Sequence, residues 1–255
     1  MEGIRSELIV ELSETWPSAL DGWDDNESRT GVILRPSVVG SFIHGQDEDT
    51  DEGIESEEAG MSDIDVHSTL SRRITLDLPD PVMAIAVARE CALSSILPCA
   101  FYALSRIPWH RITEPTFNSE CHRTTDGVDL TALSRCDMLR ICTGRGNMQA
   151  SARYFAAAPA IIDPGESGCT RRWSDPGNPC NDGVKRFWSR RVRSVVLAVG
   201  MDDPLGALRD LLDEPLDQFN VCCRCEAAVR ARIRNTRECW WSCLSSFFLL
   251  LEDEE

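Results

Sequence analysis

Apolar side chains recur at spacings of three, four and seven residues near the C-terminus of this chain. The stripe consists of Val229, Ile233, Trp240, Leu244 and either Phe247 or Phe248. Such spacing places the side chains on one face of an α-helix, and that face must be buried against other elements. We therefore predict a long C-terminal helix over residues 217–250, with a partner surface supplied by the rest of the chain.

Helical patterns continue upstream, whereas the polar–apolar alternation of β-strands is nearly absent. Further helices are predicted at about residues 4–14, 82–89, 96–107, 130–155, 183–199 and 204–212. The second and third form a helical hairpin whose inner face is expected to contain Ile85, Leu93, Ile96, Leu97, Phe101 and Leu104. Gly144 and Gly146 favour a kink in the 130–155 helix. The predicted fold class is all-α: an irregular helical domain with a helical hairpin and a long C-terminal helix.

Acidic residues are concentrated in one tract. Residues 47–65 contain ten carboxylates and no Lys or Arg, and without them the formal net charge of -16 becomes -6. The surrounding segment is rich in Asp, Glu, Ser and Gly, which is typical of a disordered linker. We predict a short helical segment at 1–21, an acidic, mostly disordered linker at 22–75, and an all-α domain at 76–255.

The chain shows no export or membrane signal. Its N-terminus lacks the basic and apolar regions of a secretory signal. Its most apolar stretch, residues 240–251, is shorter than the roughly 20 residues that a membrane span needs. We therefore expect a cytoplasmic or nuclear protein with no membrane association. In a reducing compartment, its 12 cysteines are expected to be buried thiols or metal ligands rather than disulfides.

Four cysteines have a spacing compatible with metal ligation. Cys169 and Cys180 lie in a Gly/Pro-rich loop, and Cys222 and Cys225 lie at the start of the predicted terminal helix. Zinc favours four tetrahedral thiolates, and a closed set of four is structural rather than catalytic. A structural zinc ion would pin the 159–182 loop onto the helix, with Cys223 as an alternative to Cys222. The other interpretation is that the four are reduced cysteines packed as small apolar side chains.

Basic residues form two stripes on the predicted helices. They are Lys185, Arg186, Arg190, Arg191 and Arg193, interleaved with Phe187 and Trp188, and then Arg230, Arg234 and Arg237. The stripes have three interpretations. They contact phosphate or nucleic acid, they form a solvated helix face, or they make a salt-screened contact with the acids of residues 47–65.

The sequence contains no pattern of catalytic residues. Its four histidines flank the acidic tract or lie in the 108–128 loop. Cys121 and His122 are neighbours in sequence, which does not make them a nucleophile–base pair, because such partners must meet in space. We therefore expect that the protein is not an enzyme.

Several segments together resemble a known family. Residues 88–104 (ARECALSSILPCAFYAL) resemble the helical pair that follows the BTB/POZ core in many fungal BTB proteins. Residues 15–24 (TWPSALDGWD) resemble the segment just before that pair. Other similarities to the large BTB family of mushroom-forming fungi lie at residues 130–136, Gly168-Cys169 with Cys180, Asp203-Pro204-Leu205, Cys222 with Cys225, and residues 241–250. The resemblance covers about residues 5–24 and 76–251, without the BTB core itself, a mixed α/β dimerisation module.

The resemblance implies a helical region of the kind that follows a BTB core, with cysteines at the four positions above. We expect a non-catalytic protein-interaction module that binds other, unidentified proteins. One alternative is a nucleic-acid-associated regulator that uses the basic helix faces. Another is a truncated BTB-like protein with decayed function.

Overall fold

The computed structural model describes residues 10, 12–30, 80–107, 130–158, 169, 179–198 and 200–250. Within these ranges the chain forms helices and connecting turns and no β-strand, so the predicted all-α class is confirmed. The acidic tract, the 108–128 loop and the four histidines lie outside the described residues. None of the helices in the described ranges has the length and apolar character that crossing a bilayer requires.

Residues 10 and 12–15 are helical, and the next helix, α1, spans Leu20–Thr30 and begins just before the predicted linker. The predicted boundary at residue 22 therefore falls inside a helix. Its largest side chain, Trp23, is fully buried and packs edge-on against Tyr102 with ring centroids 5.6 Å apart. Trp16, just upstream, is also buried. The remaining positions of α1 are mostly polar, which is why the sequence pattern resembles a linker.

The predicted helical hairpin is confirmed. Helix α2 spans Pro81–Cys91, a 3₁₀ turn follows at Ser94–Ile96, and α3 spans Leu97–Ser105. The Asp80 carboxylate accepts a hydrogen bond from the Val82 amide at 2.9 Å and caps α2. The predicted inner face is buried at every position except Leu93, which is half-buried against the core.

Helix α4 spans Arg135–Ala157, so it begins five residues later than the predicted start at residue 130. Ser134 is its N-cap and accepts a hydrogen bond from the Asp137 amide at 3.0 Å. Gly144 lies directly against Phe248, because a Cβ atom added at Gly144 would lie 1.9 Å from Phe248 Cδ1. The glycine therefore permits a close helix approach in addition to any effect on helix propensity.

The predicted helix over 183–199 is longer and interrupted. Helix α5 spans Pro179–Phe187, a π-helical turn occupies Trp188–Val192, and α6 spans Arg193–Ala198. In the π turn, the Arg193 amide donates to the Trp188 carbonyl, five residues back. Helix α7 spans Pro204–Asp213, close to its predicted range.

The prediction of a single helix over residues 217–250 is wrong. The segment consists of a 3₁₀ turn at Asp217–Phe219, helix α8 at Cys223–Ser242 and a short helix α9 at Leu244–Phe247. Asn220 adopts a left-handed conformation with φ of 60° and ends the first turn. The predicted stripe is nevertheless buried throughout, with Phe248 rather than Phe247 as its last member.

Candidate metal centre

The four predicted cysteines meet in the structure. The Sγ atoms of Cys169, Cys180, Cys222 and Cys225 all lie within 4.8 Å of one another. Cys180, Cys222 and Cys225 are buried, and Cys169 is half-buried. These four could hold a metal ion, as their spacing predicted. The alternative ligand, Cys223, is exposed and is not part of the cluster.

Three of the four cysteines lie at the starts of two helices. Cys180 lies in the first turn of α5 rather than in the predicted loop, Cys222 is the N-cap of α8, and Cys225 lies in the first turn of α8. Gly183 lets α5 approach the chain before α8, because a Cβ atom there would lie 2.2 Å from the Phe219 carbonyl oxygen. The side chain of Cys222 makes no capping hydrogen bond, so its sulfur stays directed to the cluster.

The sulfur distances suit a tetrahedral ion. Zinc–sulfur bonds of about 2.3 Å in a regular tetrahedron place the sulfurs about 3.8 Å apart. Cys169 Sγ and Cys222 Sγ are 3.8 Å apart. A disulfide needs a separation of about 2.05 Å, and no disulfide joins cysteines in the described part of the chain. The arrangement is therefore compatible with four thiol or thiolate ligands around one centre.

The surroundings of Cys180 shift the pKa of its thiol in opposite directions. Burial raises the pKa of Cys180, as do its neighbours Cys169 and Cys222, while a hydrogen bond from the Cys222 amide lowers it. That amide lies 3.4 Å from Cys180 Sγ. The N-terminus of α8 also favours negative charge at Cys222 and Cys225. A divalent cation would supply the remaining positive charge and displace the thiol protons.

The predicted basic stripes do not form one surface. Arg237 is buried, and its guanidinium forms an ion pair with Asp24 of α1. Arg230 pairs with Glu226 at 2.8 Å and donates to the Glu214 carbonyl at 3.0 Å. Lys185 lies 3.9 Å from Asp182. Arg193 and Arg234 are exposed and make no ion pair in the part of the chain that the structure describes. Four of the eight basic side chains, Lys185, Arg191, Arg230 and Arg237, therefore pair with acids of the same chain.

Arg186, Arg190 and Arg191 remain together. They line an open groove with Gln218 and Phe219. Arg186 donates to the Phe219 carbonyl at 3.3 Å, and Arg191 forms a two-point contact with the Glu214 carboxylate. Arg190 is exposed and makes no ion pair within the described ranges.

A buried charge network was missed by the sequence interpretation. It consists of Asp24, Glu27, Tyr102, Arg106, Asp203, Arg209 and Arg237. Burial alone would raise the pKa of Asp203, but the Arg106 guanidinium and the Tyr102 hydroxyl hold it below its ordinary value. Burial and the Asp203 charge raise the pKa of Tyr102. Asp24 and Arg209 are half-buried at the edge of the network, its other charged members are buried, and the network attaches α1 to the hairpin, α7 and α8.

The sequence contained a weak signal for this network. Asp24 and Asp203 both lie in segments that carried the family resemblance, but their partners are distant in sequence and nothing local connects them.

A scan against protein-family models, a search of curated proteins and a search of solved structures each find no match to this chain.

Proposed function

We propose that this chain is a non-catalytic, helical protein-interaction module in which the four-cysteine cluster holds a structural zinc ion. The observation that carries the zinc assignment is the convergence of four sulfurs within 4.8 Å, with one separation of 3.8 Å. Four thiolates complete a tetrahedral shell, so the ion would have no open position for a substrate or an activated water. Its role would be to hold the segment around Cys169 against α5 and α8.

The interaction role is supported by exposed apolar side chains on α4. Leu139 is 60% exposed and Tyr154 is 78% exposed. They are 15 positions apart on one helix, which corresponds to about four turns and places them on similar faces. The resemblance to regions that follow a BTB core supports the same role.

The zinc proposal is tested by metal analysis of protein purified without chelators. We expect one zinc per chain in the wild type and in Cys223→Ser, and loss of zinc in Cys225→Ser. Cys223 is the matched control because it is an exposed neighbour on the same helix turn. If Cys225→Ser fails to fold, the second measurement is the release of zinc from the wild type by a thiol-reactive reagent. A wild type that folds without zinc and takes up none would overturn the assignment.

The interaction role is tested by affinity capture with mass spectrometry, comparing three baits. A partner bound through α4 should be retained by the wild type and by Arg153→Ser, but lost from the double variant Leu139→Ser/Tyr154→Ser. Arg153 is the exposed neighbour of Tyr154 and controls for surface changes on the same helix. Identical capture by all three baits would count against this face. Salt-dependent gel shifts on generic DNA test the nucleic-acid alternative separately.

A further inference from the structure

An open groove of about 430 Å³ lies between the π-helical turn and the 3₁₀ turn before α8. Its lining residues are Arg186, Arg190, Arg191, Gln218 and Phe219. Three guanidinium groups thus border one concave surface, a concentration of positive charge at odds with the net charge of the whole chain, which is -16. The groove does not overlap the cysteine cluster or the buried charge network.

The π turn is what groups the arginines. In an α-helix only Arg190, four positions after Arg186, would share its face. The turn at Trp188–Val192 contains one more residue, so positions four and five after Arg186 both come near that face. Arg190 and Arg191 can therefore both border the groove with Arg186. Single π turns inside α-helices are often found at functional sites.

The three guanidinium groups differ in the partners that hold them. Arg191 is fixed by the Glu214 carboxylate, and Arg186 uses one donor on the Phe219 carbonyl. Each guanidinium carries five N–H donors, so both retain donors for a ligand. The exposed Arg190 has no ion pair within the described ranges. Glu214 is the only acid that forms an ion pair with these arginines within the described ranges, so two of the three guanidinium charges have no acidic partner there.

We propose that this groove binds the dianionic phosphoryl group of a phosphorylated serine or threonine in a partner protein. Arg186 and Arg190 would contact the phosphoryl oxygens, and Arg191 would border them in its fixed position. Two guanidinium charges without an acidic partner in the described ranges match a phosphate monoester dianion, and planar guanidinium groups suit phosphate oxygens. This inference rests on the proposed interaction function and names the chemistry of the partner.

A nucleic acid is the less suitable ligand. A polyanion needs an extended basic track, whereas Arg230 and Arg237 are engaged with internal acids. The chain's acidic balance also repels a long polyanion more than a single phosphoryl group.

The test uses the full chain and fluorescence anisotropy with a labelled Gly/Ala peptide that carries one central phosphoserine. Charge-assisted hydrogen bonds to phosphate predict at least about tenfold weaker binding for Arg190→Ala. Arg234→Ala, which removes the same charge from an exposed site on α8, should bind as the wild type does. Circular dichroism verifies that each variant is folded.

Three further probes distinguish the sources of the signal. The unphosphorylated peptide should not bind, free phosphoserine should compete, and oligothymidine should bind no more tightly than the phosphopeptide. Equal loss in both arginine variants, or tighter binding of oligothymidine, would overturn the proposal. No binding of the phosphopeptide to the wild type would also overturn it. That failure would leave zinc content and capture through α4 unchanged, so it is distinguishable from failure of the proposed function.

Discussion

Replacing Glu27 by Gln should destabilise the protein strongly, because Glu27 is the buried acid that two arginines share. Its carboxylate pairs with Arg106 and lies 2.6 Å from Arg209. The network contains three arginines, Arg106, Arg209 and Arg237, balanced by the carboxylates of Asp24, Glu27 and Asp203. The substitution preserves side-chain shape and leaves one uncompensated positive charge in the core.

Breaking one partner out of a buried ion pair costs about 3–5 kcal/mol, against a total stability of about 5–15 kcal/mol for a domain. We expect the free energy of unfolding to fall by about that amount in urea titrations followed by circular dichroism. Asp25→Asn makes the same charge change at an exposed position of α1 and should stay within about 0.5 kcal/mol of the wild type.

A double variant tests whether charge imbalance causes the loss of stability. Combining Glu27→Gln with Arg209→Gln restores the charge balance, so the combined loss should be smaller than the sum of the single losses. If Glu27→Gln unfolds at the same urea concentration as Asp25→Asn, the ion pairs do not hold α1 on the domain. Additive losses in the double variant would show that charge balance is not the cause.

Three other predictions address separate features. Gly144→Ala should destabilise by about 1–3 kcal/mol through the clash with Phe248, whereas Gly146→Ala, which meets open space, should be neutral or stabilising in the same urea titration. Zinc added to metal-free protein should release several thiol protons, measured with a pH indicator, and no release would mean that the cysteines are not the ligands. Because the pKa of Asp203 is lowered from 3.8, its stabilising contribution is complete above that pH and is lost as the pH falls through its folded pKa. Asp203→Asn should therefore reduce the acid dependence of stability.

Local patterns in the sequence were sufficient to locate most of the described helices and the four candidate ligand cysteines, but not the π turn at Trp188–Val192 or the break before α8. The hairpin has a clear apolar periodicity, and Asp80 with Pro81 marks its start. The four cysteines were predictable as a possible ligand set because a Cys-x10-Cys pair and a Cys-x2-Cys pair have spacings compatible with metal ligation. Their meeting still depends on Gly183, whose close contact with the Phe219 carbonyl has no sequence signature.

The remaining features depend on contacts between distant residues. Arg237 follows a helical stripe of basic residues, but its partner Asp24 is 213 positions away, so its burial is invisible to local pattern. Likewise, the polar sequence of α1 resembles a linker because its inward face combines Trp23 with acids that bind arginines from other helices. A pattern method that counts charges as exposed assigns this helix to the wrong class.

Helix α8 carries one residue of the cysteine cluster and one residue of the buried charge network. Their separation along the helix predicts that substitutions in the cluster and in the network affect stability independently. Its first turn carries Cys225 of the cluster, and its last turns carry Arg237, which binds α1. Twelve residues of α-helix separate them by about 18 Å, beyond the range of about 7–10 Å within which substitutions usually couple. The losses from Cys225→Ser and Arg237→Gln should therefore add within about 0.5 kcal/mol in urea titrations of the zinc-loaded wild type, the two single variants and the double variant. A coupling much larger than this would mean that the two ends of α8 respond as one unit, and that metal binding also controls the attachment of α1.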